Sequence, residues 1–172
     1  MTLFNNKYRI ETARAKNWDY HSAASYFITI CTKESVHYFG KIQSKEMVLN
    51  DCCVVVRREW IKTPDIRPDM NITLGEFVVM PNHFHGIISI GENGYNEQRK
   101  NNEFGIQSKN LGAIVGGFKA SATKHLRKIN AAFGWQERYH DHIIRDNESH
   151  ERIRHYIQNN PANWLSDKFY RD

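Results

Sequence analysis

The residues best suited to chemistry in this sequence are two histidines that flank one large apolar residue, His83-Phe84-His85. Because side chains alternate between the two faces of a strand, His83 and His85 are predicted to point to the same side, while Phe84 points into a core. Two neighbouring imidazoles supply half of the ligands of a divalent metal site. The alternative is a strand that carries two surface histidines.

A second reactive group lies near the end of the sequence, on a predicted helix over residues 147–160. Tyr156 and Asn160 are four residues apart there, so they share one face of the last turns. The phenol is a candidate nucleophile, and the amide oxygen is a candidate third metal ligand. The alternative is a half-buried core tyrosine whose hydroxyl stays in water.

Local signals support this helix. Ile153 and Ile157 lie four apart and supply an apolar seam. Asn147 or Ser149 is expected to cap the first turn, and Pro161 is expected to end the helix, because proline disfavours helical geometry in the residue before it.

The remaining elements must position these groups, and their pattern is α+β. Residues 26–32 alternate as a strand, Ile72–Met80 and His83–Ile90 are predicted to be antiparallel neighbours, and residues 138–144 read as an edge strand. Two helices and a short strand are also predicted, over residues 54–61, 111–129 and 47–49. We therefore expect an antiparallel sheet with helices laid on one face.

The polar, Asn- and Gly-rich residues 91–110 are predicted to form a mobile surface loop, and residues 1–20 an N-terminal extension. With no internal repeat in view, residues 1–172 are expected to form a single domain.

Composition narrows the class of protein. The 172 residues are 40% hydrophobic, and the net charge of +5 is compatible with an anionic partner. The cysteines Cys31, Cys52 and Cys53 form neither a disulfide framework nor a Cys-x-x-Cys zinc motif, which indicates a reducing compartment. Since no apolar run is long enough to cross a bilayer, the sequence predicts a cytoplasmic protein without membrane contact.

Two other motifs compete for the catalytic roles. Tyr139-His140-Asp141-His142 contains a second His-x-His, but no apolar strand run precedes it, so a role beside the metal ligands is expected and not a metal site of its own. Tyr139 and Tyr170 are alternative nucleophiles, but only Tyr156 has a ligand-type residue at same-face spacing.

An ordered series of segments over nearly the whole chain resembles the REP-associated tyrosine transposases, a branch of the single-tyrosine HUH nucleases (His-hydrophobic-His) related to small insertion-sequence transposases. The segments are Tyr26-Phe27-Ile28-Thr29-Ile30-Cys31-Thr32, Phe39-Gly40-Lys41-Ile42, Arg58-Glu59-Trp60, Met80-Pro81-Asn82-His83-Phe84-His85-Gly86-Ile87-Ile88-Ser89-Ile90, Gly112-Ala113-Ile114-Val115-Gly116-Gly117-Phe118-Lys119, Trp135-Gln136, His142-Ile143-Ile144-Arg145-Asp146 and Tyr156-Ile157-Gln158-Asn159-Asn160-Pro161. The resemblance implies a ferredoxin-like or RRM-like sheet and a transposase that cleaves and rejoins single-stranded DNA beside hairpins.

Carried over residue by residue, the resemblance implies that His83 and His85 bind the metal and that Tyr156 forms a 5′-phosphotyrosine and frees a 3′-OH. Insertion-sequence relatives often have Gln four residues after the tyrosine, where this chain has Asn160, so direct ligation by the shorter amide is a hypothesis. Neutral imidazoles with an amide oxygen suit Mg²⁺ or Mn²⁺ once waters and phosphate oxygens complete an octahedron. Related transposases include dimers and monomers, which leaves a homodimer open.

Candidate contacts to single-stranded or hairpin DNA lie elsewhere. Cations on the polar side of the predicted helix 111–129 could meet phosphates, or could form an ordinary solvated face: Lys119, Lys124, Arg127 and Lys128. Tyr139 and His142 are further candidates. Two alternatives to the transposase remain: a hairpin-binding protein without cleavage, and a metal-dependent hydrolase in which water attacks the phosphodiester.

Overall fold

The computed structural model describes residues 3–4, 7–8, 15, 17–97 and 109–172. Its strands are β1 (Leu3–Phe4), β2 (Lys7–Tyr8), β3 (Ala24–Cys31), β4 (Gly40–Gln43), β5 (Glu46–Leu49), β6 (Ile72–Met80), β7 (His83–Ile90) and β8 (His140–Ile144). Its α-helices are α1 (Asp51–Ile61), α2 (Thr63–Ile66), α3 (Gly94–Glu97), α4 (Leu111–Leu126) and α5 (Asn147–Asn159). A four-stranded antiparallel sheet has the order β6-β7-β3-β8, and β1–β2 and β4–β5 pair as separate hairpins. The predicted α+β fold with an antiparallel sheet is confirmed.

The hairpin of β6 and β7 has the predicted bounds. Pairing runs from Met80 opposite His83 to Ile72 opposite Ile90. On its other edge, β7 pairs with β3, so that Thr29 lies opposite His85. The histidine strand is therefore central in the sheet, where neighbours on both sides fix the positions of its side chains.

Helices cover both faces of this sheet, and the expectation of helices on one face is wrong. On one face, apolar residues of β3 and β7 pack with the buried sides of α1 and α4 in the main core. On the other face, Ile87 packs with Ile153 and Ile157 of α5. Strand alternation explains the division, because Phe84, Ile88 and Ile90 of β7 point to one side of the sheet, while Ile87 points to the other side with the two histidines.

Helix α5 begins at Asn147, and its N-terminal cap is Asp146, one residue before the first predicted capping candidate. The Asp146 carboxylate accepts a hydrogen bond from the backbone N–H of Ser149, at 2.7 Å, so the expectation that Asn147 or Ser149 caps the helix is wrong. Aspartate suits this position because its charge also interacts favourably with the helix dipole. The helix ends at Asn159, and Asn160 is its C-terminal cap just before Pro161.

The other helices differ from prediction mainly at their ends. Helix α1 begins at Asp51 because the Asn50 side chain caps it, accepting from the Cys53 N–H at 3.0 Å. Helix α4 ends at Leu126 and not at residue 129, because the next N–H groups bond three residues back, Lys128 to the His125 carbonyl at 3.1 Å and Ile129 to the Leu126 carbonyl at 2.9 Å.

The predicted loop over residues 91–110 contains the short helix α3, whose first N–H groups bond to the Asn93 side chain. Residues 98–108 lie outside the described residues, as does most of the predicted extension 1–20, so the mobile loop remains a prediction. Within the described parts of the chain, every helix is too short or too polar to cross a membrane.

Candidate metal and tyrosine site

His83 and His85 lie side by side on the face of the sheet that α5 covers. Their ring centroids are 4.5 Å apart, and their exposed fractions are 0% and 1%. The structure thus places both predicted ligands on one face of the sheet. Both are fully buried, so the alternative of two surface histidines is wrong.

Each ring is oriented by a hydrogen bond to its Nδ1 atom. Asn82 Oδ1 lies 2.8 Å from His83 Nδ1, and Thr29 Oγ1 lies 2.7 Å from His85 Nδ1. Because an amide oxygen only accepts, His83 Nδ1 carries the proton, and its Nε2 atom presents a lone pair. Such partners commonly fix the tautomer and direction of metal-binding histidines. Neither partner is evident from the sequence pattern, although the position of Thr29 follows from strand alternation once the register is known.

Tyr156 approaches the same point from α5. Its hydroxyl lies 3.4 Å from His85 Nε2 and donates a hydrogen bond to Asp167 Oδ2 at 3.0 Å. Its ring meets Phe27 edge-on at 6.0 Å, which orients the phenol, and the residue is 38% exposed. The tyrosine is therefore open to a substrate from one side and tied to the histidines on the other.

Asn160 and Asp167 complete the cluster. The Asn160 Nδ2 atom donates to Asp167 Oδ2 at 2.7 Å, while its Oδ1 atom is buried without a hydrogen-bond partner among the described residues. Potential ligand atoms of His83, His85 and Asp167 all lie within 4.8 Å of one another. Asp167 was missed by sequence analysis because it follows Pro161 and a short 3-10 turn, where no periodicity signals its direction.

The electrostatics of this cluster favour neutral imidazoles. Burial lowers the pKa of His83 to about 4, although Asp167 and Asn160 act in the opposite direction. Burial and the neighbouring His83 hold the pKa of His85 well below its usual value. Neutral imidazole is the form that binds metal. Burial, with Asp167 beside the hydroxyl, raises the pKa of Tyr156, so the phenol needs help to act as a nucleophile.

These residues fit a divalent cation. The His83 Nε2 and Asn160 Oδ1 atoms are both buried acceptors without a protein partner among the described residues, which is unusual for polar atoms away from water. Two imidazoles, a carboxylate and an amide oxygen form a mixed nitrogen and oxygen donor set that suits a divalent metal. A bound cation would satisfy both unpaired acceptors.

The residues after α5 form a cover over the histidines, which we call the C-terminal cover (residues 164–171). The Phe169 ring centroid lies 4.8 Å from that of His83 and 5.6 Å from that of His85. Asn82 Nδ2 donates to the Phe169 carbonyl at 2.9 Å, and Trp164 lies against His83 at 6.0 Å. A ligand that approaches the histidines from this side therefore meets Phe169 and Trp164 first.

The second His-x-His lies on the same sheet face but outside the cluster. On β8, His140 is opposite Thr29 and His142 is opposite Phe27, and both histidines are exposed. Tyr139 is partly buried and packs against the main core. Tyr170, the other alternative nucleophile, has its ring centroid 5.2 Å from that of Trp164, and its hydroxyl donates a hydrogen bond to Asp172.

The predicted DNA-binding cations lie on the opposite side of the molecule. Lys119, Lys124 and Arg127 line a groove beside α4 together with Lys33, which sequence analysis did not single out. Lys128 is exposed but does not line this groove. The structure thus separates the predicted site residues into a histidine face and a cationic groove.

The sequence and the fold of this chain are each similar to those of a known protein. No protein-family model matches the sequence. An uncharacterized protein of Haemophilus influenzae is 41% identical over 167 residues, which span 92% of each chain. Among solved structures, a REP-associated tyrosine transposase bound to a REP hairpin superposes with a TM-score of 0.59 at 18% identity, covering 90% of this chain and 77% of the other. The fold is therefore that of the transposase, and the sequence relationship is with the Haemophilus protein.

Proposed function

This chain belongs to the same family as the Haemophilus influenzae protein and has the fold of a REP-associated tyrosine transposase, and from its site we propose that it is a metal-dependent, single-stranded DNA endonuclease and strand transferase. One observation carries the proposal: the Tyr156 hydroxyl lies 3.4 Å from His85 Nε2, next to two buried acceptors, His83 Nε2 and Asn160 Oδ1, without a partner among the described residues. A core tyrosine needs no such neighbours.

In the proposed reaction, the Tyr156 oxygen attacks the phosphorus of a phosphodiester. A bond forms between the phenolic oxygen and phosphorus, the bond from phosphorus to the 3′ oxygen breaks, and the 3′ oxygen leaves as a hydroxyl. The products are a 5′-phosphotyrosine and a free 3′-OH, the polarity that the family resemblance implies. Asp167, 3.0 Å from the phenol, is placed to accept its proton, which the leaving 3′ oxygen finally takes up.

His83, His85 and Asp167 would hold the metal, with Asn160 as a further oxygen donor. When bound, Mg²⁺ or Mn²⁺ would stabilise the charge that develops on the phosphate oxygens. The nitrogen ligands favour Mn²⁺ over Mg²⁺, because Mg²⁺ prefers oxygen donors. Thr29 and Asn82 would keep both rings directed at the metal through their hydrogen bonds to Nδ1.

The same chemistry runs in reverse. Because the phosphotyrosine keeps the energy of the broken bond, a 3′-OH can attack it and rejoin strands without ATP. The similar transposase is described as bound to a REP hairpin, which makes hairpin DNA with a single-stranded flank the first substrate to test.

The test is denaturing electrophoresis of protein mixed with end-labelled hairpin DNA and Mn²⁺, comparing wild type with Tyr156→Phe. We expect a protease-sensitive covalent adduct with wild type and none with Tyr156→Phe. Tyr170→Phe is the matched control, since its hydroxyl bonds to Asp172 and not to the histidine cluster, and it should still form the adduct. Cleavage without an adduct in all three proteins would indicate a hydrolase that uses water. Tight binding without cleavage would indicate a DNA-binding protein.

A further inference from the structure

A groove with a volume of about 570 Å³ runs between α4 and residues 133–137. Its lining is rich in cationic side chains, contributed by α4, by the turn after α4 and by the 3-10 turn that follows β3: Lys33, Lys119, Lys124 and Arg127. Glu137 is the acidic residue of the lining and is exposed to solvent. The groove therefore has a strong excess of positive charge along one wall.

Two of these cations build the groove and two point into solvent. Lys119 Nζ donates to the carbonyls of Gln136 and Glu137 at 2.6 and 3.2 Å, and Arg127 Nε donates to the Phe133 carbonyl at 3.1 Å. These contacts attach residues 133–137 to α4. Lys33 and Lys124 are exposed, and among the described residues neither side chain makes a hydrogen bond like those of Lys119 and Arg127. Their ammonium groups are available to a ligand without loss of a structural contact.

The wall of the groove is suited to a polymer backbone more than to a base. Trp135 lines it, but the ring packs among Phe39, Phe118 and Phe133, with centroid distances of 5.4, 6.2 and 5.1 Å. A ring engaged by aromatic neighbours in this way is not free to stack a nucleotide base on both faces. Recognition in this groove therefore depends on charge, which is independent of sequence.

The groove and the tyrosine site lie on opposite faces of the sheet but meet at one end of it. Cys31 is opposite His83 at the end of β3, and Lys33 lines the groove two residues later. Two residues of chain span at most about 7 Å. A DNA strand that passes around this end of the sheet can therefore contact both sites.

We propose that this groove binds the phosphodiester backbone of the DNA segment next to the cleavage point, with Lys33 and Lys124 as its phosphate contacts. The proposal rests on the proposed function, and it adds a second binding region that holds the substrate while Tyr156 reacts. Two phosphate contacts release about two counterions, so the contribution is largest at low salt.

The test uses Tyr156→Phe protein throughout, so that binding is measured without cleavage. The affinity for a labelled hairpin with a single-stranded flank is measured by fluorescence anisotropy between about 50 and 200 mM salt. In the Lys33→Ala/Lys124→Ala variant we expect binding to weaken by roughly 10-fold, and the slope of log K against log salt to fall by roughly 1.4–1.8. Lys33→Arg/Lys124→Arg should keep the slope, since it keeps both charges.

The matched control is Lys41→Ala/Lys45→Ala, which removes two exposed lysines of the β4–β5 hairpin that do not line the groove. An equal loss of slope in this control overturns the groove assignment, because net charge alone would then explain the effect. Tighter binding of an RNA hairpin of the same sequence would overturn DNA as the occupant.

The two proposals can fail separately. If the protein with Tyr156 forms the adduct but the groove variant keeps the full slope, the groove assignment is wrong and the nuclease stands. If the slope falls but no adduct forms on any DNA, the groove stands as a nucleic-acid site and the nuclease is wrong.

Discussion

The histidine face and the cationic groove use the same sheet in opposite ways. Under α5 and the C-terminal cover, His83 and His85 are neutral, buried and oriented by hydrogen bonds to Asn82 and Thr29. Beside α4, the charged Lys33 and Lys124 stay exposed to water. A group that binds a reacting phosphate through a metal requires fixed geometry, while a group that binds a polymer backbone requires only charge at the right distance.

Solvent exposure explains why the two proposed tasks are separated. Electrostatic interactions are stronger where water is excluded, so a buried site stabilises developing charge more effectively. Burying the lysine ammonium groups would instead carry a large desolvation cost. Substitutions on the histidine face should therefore have large effects that depend on geometry, and those in the groove smaller effects that depend on salt.

The largest effect is expected for loss of a metal ligand. His83→Ala should reduce the rate of adduct formation by roughly 1000-fold, because a Lewis acid contributes several kcal/mol and each 1.36 kcal/mol is a factor of ten. Single-turnover adduct formation in Mn²⁺ measures this. His142→Ala is the matched control, an exposed histidine on the same sheet face outside the cluster, and it should stay within a few-fold of wild type. An equal loss in both variants would contradict the ligand assignment.

A smaller effect is expected for Thr29→Val, which keeps the side-chain shape but removes the hydroxyl beside His85 Nδ1. Loss of such an orienting hydrogen bond typically costs 10–100-fold in metal affinity, so Mn²⁺ binding by calorimetry should weaken by about that factor. Ser25→Ala provides the comparison, since Ser25 is on the same strand and bonds to Ser89 at 2.6 Å, away from the cluster. Unchanged Mn²⁺ affinity in Thr29→Val would show that the hydroxyl does not orient the ring.

Asn160→Ala tests whether the amide oxygen reaches the metal directly. The Asn160 Oδ1 atom is buried and has no partner among the described residues. We therefore expect Asn160→Ala to bind Mn²⁺ roughly 10-fold more weakly, a loss of affinity within the range seen when groups that support metal ligands are removed. Asn159→Ala is matched in chemistry and adjacent in sequence, but Asn159 is exposed and its amide donates to the His155 carbonyl at 2.8 Å. Titration calorimetry should separate the two variants, and equal affinities would exclude direct ligation by Asn160.

Local sequence patterns predicted the strands and the helix that carry the site residues better than they predicted how these elements pack. Period-two alternation identified β7, and the bounds of β6 and β7 were confirmed, because both strands are bordered by the turn at Pro81 and Asn82. The spacing of Tyr156 and Asn160 was enough to place them on one helical face. These are short-range properties that neighbouring residues determine.

Long-range properties were not accessible in the same way. No pattern indicates that α5 lies on the face opposite α1 and α4, because an apolar seam does not specify the surface on which it packs. Asp167 and Phe169 reach the histidines through irregular backbone after Pro161, where spacing carries no direction. Both depend on contacts between residues that are distant in sequence.

The smallest effect is expected where the C-terminal cover meets the histidine face. Phe169→Ala removes the ring that packs on His83 and His85, and aromatic contacts of this kind contribute about 0.5–1.5 kcal/mol each. We expect an entering phosphate to displace this ring, so adduct formation at subsaturating DNA should become a few-fold faster. Leu165→Ala is the control, because Leu165 is 79% exposed on the same segment and should leave the rate unchanged. A slower rate in Phe169→Ala would show that the ring supports the histidines more than it obstructs them, which would make Phe169, like Asp167, part of the site.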